Sequence, residues 1–235
     1  MRLKAVSLDI WNTLLDIRPF FKYVALHLSM LSGVGSDSLE EAIVKAYVRM
    51  KELRRRGLLS DDNIVNECLV MLSSELGMSS ELIKRAVARA LVYEDLKPLI
   101  LPGALEVVKK ISNMGLKLAT LGNVIFWPGS YTRIILERLG FADHLTFQLY
   151  ADEIRCSKPK PKAFLELVEG LGVEPDEVIH VGDSFYEDFL GALQAGLRAA
   201  LIDPKASKTA FRERAYIISS ISELIELVGE EPHTT

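Results

Sequence analysis

Three apolar segments of the chain end in polar residues that a buried strand does not need. The first, Lys4-Ala-Val-Ser-Leu-Asp9, closes on a carboxylate and runs on into Ile10-Trp11-Asn12-Thr13. The second begins at Leu116 and ends in Gly122-Asn123. The third, over 178–181, ends in Gly182-Asp183 and reaches Asp188 shortly after. A separate loop, stiffened by Pro159 and Pro161, carries Ser157-Lys158. Together these offer a carboxylate nucleophile in Asp9, a cation in Lys158, and hydroxyl or amide donors in Thr13, Gly122 and Asn123. Asp183 and Asp188 add acids suited to Mg²⁺, which prefers hard oxygen ligands and usually keeps water and substrate phosphate in its shell.

For these residues to act together, the segments carrying them must end side by side. The run 4–9 reads as a buried strand presenting Asp9 at its C-terminal end. From about Phe20 to Tyr93 the pattern is helical and contains no convincing strand. Leu39, Ile43, Ala46, Met50 and Leu53 form one stripe, with a capping-box start at Ser38-Leu-Glu-Glu41 and a stop at Gly57. Ile64, Cys68, Leu72 and Leu76 form a second stripe closed by Gly77, and Ser79 or Ser80 caps a third helix. After Pro98, strands at 116–121, 145–149, 178–181, 198–202 and 216–218 alternate with helices, as in a parallel sheet covered on both faces. In such sheets ligands bind at the C-terminal strand ends. The expected class is α/β: a Rossmann-like parallel sheet core with helices on both faces (residues 1–16 and 97–235) and an inserted all-α helical cap (17–96).

Composition narrows the function. The 235 residues, 49% hydrophobic and 26% charged, suffice for one large domain or one domain with a smaller module. Lys and Arg total 28 against 32 Asp and Glu, a net charge of −4, so no basic excess invites nucleic acid. No run approaches the roughly 18 apolar residues of a membrane span, and Asp9 interrupts what could be a signal-peptide core. Cys68 and Cys156 form neither a disulfide framework nor a zinc site, so the cytoplasm is the expected compartment. A frayed tail is expected over 230–235.

In this order and spacing, DIWNTL, LGN, SKPKP and GDSFYED resemble the four motifs of the haloacid dehalogenase superfamily, and the inserted helices resemble its helical cap. The resemblance implies that Asp9 attacks phosphorus to form an aspartyl-phosphate, later cleaved by water. It implies that Lys158 screens phosphoryl charge, that Thr13 supports the nucleophile loop, and that Gly122 and Asn123 bind phosphate through backbone N–H groups. Mg²⁺ would be held by Asp9, the Trp11 backbone carbonyl and Asp183, with Asp188 as a direct ligand or as the partner of one.

Two positions depart from the family pattern. Phosphatases of this superfamily usually carry a second Asp where this chain has Trp11, whose indole cannot act as a proton-transfer acid. Such an acid contributes on the order of 10²–10⁴-fold, so an enzyme without it should be slow, favour good leaving groups or recruit an acid from the cap. Replacing Trp11 with Asp is then expected to raise turnover. The other departure is Gly122, where a Ser or Thr is usual; Thr120 is a weaker substitute. The haloacid dehalogenases carry Tyr at the Trp11 position and need no metal, but they lack the acidic pair seen here as Asp183 and Asp188.

Remaining residues have plainer readings. Arg54-Arg55-Arg56 is expected to be a solvated helix end, and His180 a satisfied core histidine. Phe126-Trp127 suits a pocket lining or a loop anchor equally. The sequence thus points to a Mg²⁺-dependent phosphohydrolase acting on a small phosphorylated metabolite, with no membrane partner, as a monomer or weak homodimer. The alternatives are a metal-independent 2-haloacid dehalogenase and a catalytically impaired binding module.

Overall fold

The run 5–8 shows no apolar–polar alternation because β1 (Ala5–Leu8) is covered on both faces, and all four of its residues are buried. The computed structural model describes residues 3–206, 210–212 and 214–229; the expected tail over 230–235 lies outside them. Six further strands are β2 (Lys117–Gly122), β3 (Phe147–Tyr150), β4 (Val178–Gly182), β5 (Arg198–Ile202), β6 (Ala210–Arg212) and β7 (Ala215–Ile218). The sheet order is β3-β2-β1-β4-β5-β7-β6. Pairing is parallel except at the edge, where β6 runs antiparallel to β7. This short edge strand was not expected from the sequence: three residues are too few to show a periodicity.

The strand order decides where the site lies. Leu8 pairs with Thr120 on one side and with Val181 on the other. The chain winds away from β1 in one direction through β2 and β3, and in the other through β4 and β5. A crevice therefore opens at the C-terminal end of β1. Asp9, Asn123 and Asp183 immediately follow β1, β2 and β4, so all three reach it.

Over residues 17–93, after β1, the chain forms four α-helices, α1 (Ile17–Ser32), α2 (Ser36–Arg55), α3 (Ile64–Leu76) and α4 (Ser80–Tyr93). Asp16 and Ser79 cap α1 and α4 by accepting backbone N–H bonds, and Gly33 and Gly77 end α1 and α3 in the left-handed conformation. The capping box expected at Ser38 does not form. The helix starts earlier, after Gly35, and the Ser38 hydroxyl donates back to the Gly35 carbonyl at 2.9 Å.

The rest of the chain supplies α5 (Ala104–Asn113), α6 (Gly129–Arg138), α7 (Ala151–Ile154), α8 (Pro161–Leu171), α9 (Gly191–Gln194) and α10 (Leu224–Gly229). Alternation along the strands sends Ala5, Ala119 and Leu121 to one face, against Phe164 and Leu167 of α8. Val6, Leu8, Leu118 and Val181 face the other way, towards Val107 and Ile111 of α5. That second cluster continues without a break into Phe20, Phe21, Val24 and Ile43 of the helical insert. Among the described residues, no helix is long and apolar enough to cross a membrane.

Candidate active site

Asp9 is fixed by the strand it leaves and by the turn it starts. Its N–H donates to the Val181 carbonyl at 2.8 Å. The Ile10 carbonyl then accepts from the N–H groups of Thr13, Leu14 and Leu15 at 3.3, 2.8 and 2.9 Å. Asn12 takes the left-handed conformation at φ 65°, which Asn tolerates better than most residues. The turn brings the Thr13 hydroxyl back onto Asp9, where it donates to Oδ2 at 3.3 Å. Leu15 bonds to the Ile10 carbonyl and the Asn12 N–H on either side of Trp11, so the Trp11 carbonyl takes no part in that bridge.

Lys158 reaches the same point from the loop before α8. Its Nζ lies 2.7 Å from Asp9 Oδ1 and 2.7 Å from Asp188 Oδ1, and the side chain is 1% exposed. Asn123 holds the lysine's backbone from both sides: its Oδ1 accepts the Lys158 N–H at 2.9 Å, and its Nδ2 donates to the Lys158 carbonyl at 3.1 Å. The Asn123 side chain, assigned no role by the sequence, therefore positions the lysine. Gly122 ends β2 with Ile10 and the Tyr150 ring packed where a side chain would project, and it lies one residue back from the lining of the site.

Asp188 arrives by a π-helical turn over Phe185–Leu190, a backbone form often found at functional sites. The Ser184 N–H donates to its Oδ2 at 3.0 Å. A Cβ on Gly182 would overlap the Asp188 carboxyl group, so glycine at the end of β4 permits this approach. His180 is fully buried beneath it. A carboxylate only accepts, so His180 Nε2 carries the proton donated to Asp188 Oδ1 at 3.2 Å, and Nδ1 accepts from the Ser7 hydroxyl at 2.8 Å. The expected satisfied histidine is thus also a support for Asp188. Burial lowers its pKa and keeps the ring neutral.

One ligand oxygen from each of Asp9, Asp183 and Asp188 lies within 4.8 Å of the others. Three carboxylates against Lys158, with Lys51 on the insert side, leave a surplus of negative charge that works against ionisation of the group. Burial raises Asp9 to about 6, with repulsion from Asp188 adding to the rise and the Lys158 ammonium opposing it. Burial, then repulsion from Asp9 and Asp188, raises Asp183 to about 7. Burial alone would also raise Asp188, but the Lys158 charge and the His180 hydrogen bond hold it below the usual carboxylate range. Lys158 is raised despite its burial by the charges of Asp188 and Asp9. A buried surplus of this kind on hard oxygen donors is what a small divalent cation neutralises.

These groups line a partly open cleft with about 30 Å³ of free space, walled on the insert side by Ile17, Tyr47, Lys51 and Arg54. Burial raises the Tyr47 hydroxyl; burial would lower Lys51, but Tyr47, Glu187 and Asp183 together raise it, so both stay protonated. Trp11 forms another wall. It is 8% exposed, with ring centroids 5.8 Å from Phe20 and 5.7 Å from Trp127. Trp127 packs on Phe20 at 5.1 Å and on Phe126 at 4.7 Å, so the Phe126-Trp127 pair anchors the loop, while Ile125 lines the space.

Arg54 departs from expectation. It is not a solvated helix end but is buried, with Nε and Nη2 on the Glu187 carboxylate at 3.2–3.3 Å and Nη1 on the Val124 carbonyl at 3.0 Å. The sequence marks Arg54 only as a helix-end charge and Glu187 not at all, because each is an ordinary charge on a helical face until the two faces meet.

A family model described as haloacid dehalogenase-like hydrolase matches residues 3–196. The chain is 26% identical over 240 residues to a glyceraldehyde 3-phosphate phosphatase of Methanothermobacter thermautotrophicus, covering 96% of this chain and 100% of that protein. It is 32% identical over 130 residues to the mouse haloacid dehalogenase-like hydrolase domain-containing protein 3. That match spans 54% of this chain and 50% of the mouse protein's length. In fold it is similar to an L-2-haloacid dehalogenase from Xanthobacter autotrophicus, with a TM-score of 0.71, 18% identity and coverage of 98% and 100%. The strand-end site and the family match together give one conclusion: the chain belongs to the haloacid dehalogenase-like hydrolases.

Proposed function

We propose that the protein is a Mg²⁺-dependent phosphohydrolase that cleaves a small phosphorylated metabolite through an aspartyl-phosphate on Asp9. The observation that carries this reading is the cluster of Asp9, Asp183 and Asp188 about Lys158, with Asp9 and Asp183 raised by burial and by repulsion from neighbouring carboxylates. Asp9, Asp183, Asp188 and the Trp11 carbonyl would hold the ion, which would supply positive charge to the phosphoryl oxygens when bound. A full-length relative named as a phosphatase supports the same chemistry.

In this reading an Asp9 carboxylate oxygen attacks phosphorus, the bond from phosphorus to the ester oxygen breaks, and the alcohol leaves with its electron pair and then takes up a proton. Water next attacks phosphorus, breaking the bond to Asp9 and releasing phosphate. Lys158 orients Asp9 and offsets charge on the transferring group, and Thr13 steadies the second carboxylate oxygen. Trp11 supplies no proton to the leaving group. Acyl and aryl phosphates should therefore turn over faster than alkyl phosphates.

Residues 17–96 act as a cap over a core of residues 1–16 and 97–235. About 30 Å³ of free space is too little for a phosphorylated metabolite, so substrate enters as the cap withdraws. A 2-haloacid dehalogenase shares this fold and an aromatic residue at the Trp11 position. Without a metal its carboxylate substrate would meet three carboxylates here with no ion to offset them, whereas bound Mg²⁺ would offset both these acids and a phosphate, which favours the phosphatase.

The test is phosphate and chloride release from p-nitrophenyl phosphate, acetyl phosphate and 2-chloropropionate, with and without Mg²⁺, beside Asp9→Asn. Mg²⁺-dependent phosphate release lost in Asp9→Asn supports the reading. Metal-independent chloride release replaces it with dehalogenase chemistry, and silence on all three leaves a substrate outside the panel and the binding module on equal terms.

A further inference from the structure

Apart from histidines, the buried charged side chains among the described residues are Asp9, Lys158 and Asp188 at the site, and Arg54 and Glu187 beside it. The second pair joins two parts of the chain that are distant in sequence. Arg54 ends α2 of the insert, and Glu187 lies in the π-helical turn that carries Asp188. Burying an ion pair is costly in desolvation, and an apolar pair would hold two helices together at least as well. What the ion pair adds is directed geometry, and its hydrogen bonds lead to the catalytic lysine.

The connections are continuous. Arg54 engages both oxygens of Glu187 at 3.2 Å each. Glu187 Oε2 accepts from Asn123 Nδ2 at 3.4 Å, and the same amide brackets the backbone of Lys158. Arg54 also donates to the carbonyl of Val124, next to Asn123, at 3.0 Å. A second contact from the insert meets the same loop further on, where Lys160 Nζ lies 2.6 Å from Asp61 Oδ2. The segment carrying Lys158 is thus tied at Asn123 and at Lys160 to contacts that the insert makes.

We propose that Arg54 is a positioning residue whose seating on Glu187 sets Asn123, and through it Lys158, so that the lysine reaches Asp9 and Asp188 only when the helical insert is docked. The proposal rests on the reading of Lys158 as the group that offsets phosphoryl charge. Closure and chemistry are thereby linked: an open insert leaves the lysine loop without its brace.

The Lys158 N–H is itself the reporter, since it donates to Asn123. Native-state amide exchange would be followed at Lys158 in the wild type, Arg54→Lys and Arg54→Met, with turnover measured on p-nitrophenyl phosphate. Emission from Trp11 and Trp127 checks that the fold is intact. Exchange at Lys158 should quicken by about tenfold or more in Arg54→Met, with kcat lower by about 10–100-fold and KM within about threefold. Arg54→Lys should fall between Arg54→Met and the wild type.

Should Arg54→Met fail to fold because Glu187 is left buried and unpaired, the double variant Arg54→Met/Glu187→Met removes both charges and decides the matter. A folded variant with wild-type exchange at Lys158 and wild-type kcat would overturn the proposal. If the wild type releases no phosphate at all, the functional reading fails, and the exchange measurement still settles whether Arg54 braces the lysine.

Discussion

Asp9 stands between two unlike surroundings. On one side lie Lys158, Asp188 and Asp183, with the buried His180 behind Asp188. On the other, Trp127 packs edge to face on Trp11, Phe20 and Phe126, and Trp11 lies tilted on Phe20, between the core and α1. The charged side is assembled from strand ends that the sheet order forces together. The aromatic side is assembled from the nucleophile loop, the loop after β2 and the first helix of the insert. The contrast separates two tasks: the charged side holds the groups that can do chemistry, and the aromatic side seats the insert and keeps water away from them. Trp11, which takes the place of an acid, belongs to the second task.

The largest effect should follow from breaking the charged side at the lysine that joins Asp9 to Asp188. Lys158→Met leaves Asp9 and Asp188 facing each other, and kcat on p-nitrophenyl phosphate should fall by about 10²–10³-fold. Loss of a buried partner should also cost the metal-free protein about 3–5 kcal/mol in urea unfolding. Wild-type turnover in this variant would remove Lys158 from the mechanism.

The aromatic side is tested by Trp11→Ala, which should cost about 3–5 kcal/mol through the cavity it leaves against Phe20 and Trp127. From sequence alone, Trp11→Asp should restore an acid and raise turnover. With Trp11 buried in a ring cluster, the same change puts an unpaired carboxylate among apolar rings and should destabilise at least as much. A Trp11→Asp variant of wild-type stability and higher turnover would show that this side does not seat the insert.

A smaller effect should separate the sides by pH. Asp9 and Asp183, raised to about 6 and about 7, bind protons more tightly in the folded chain than in the unfolded one. The metal-free native state therefore takes up protons as pH falls from about 8 to about 6.5, and its stability rises over that window. From about pH 7.5 downward the neutral His180 offsets part of this gain, because its unfolded form becomes charged. The metal-free melting temperature should be about 1–2 °C higher at pH ~6.5 than at pH ~8. Saturating Mg²⁺ should reverse the order. Metal-free melting that is flat across this range would contradict the charge surplus.

The sequence makes the charged side legible for a physical reason. An apolar strand that ends in a carboxylate announces itself, and in a parallel sheet such ends gather at one edge. Asp9 and Asp183 could be read this way, and the sheet order places both at the crevice. Lys158 and Asp188 can be listed as candidates from the sequence, but they take their roles from the motifs, because a loop lysine and a helix-start aspartate are ordinary residues on their own. The linear sequence carries even less about the rest. Arg54 looks like a helix-end charge until α2 meets Glu187, and Phe126-Trp127 gives no sign of which rings will surround it. The helix α1 lies in a stretch read only as generally helical, and β6 is too short to show its period. In each case the missing information is which surfaces approach one another.

The most direct test of the central claim is a rapid acid quench of the enzyme during turnover of acetyl phosphate with Mg²⁺, followed by peptide mass spectrometry. A peptide containing Asp9 should carry one added phosphoryl group, with the modification on Asp9. It should be absent without Mg²⁺ and in Asp9→Asn. Phosphate release with no adduct on Asp9, or with the adduct on another residue, would contradict the aspartyl-phosphate mechanism.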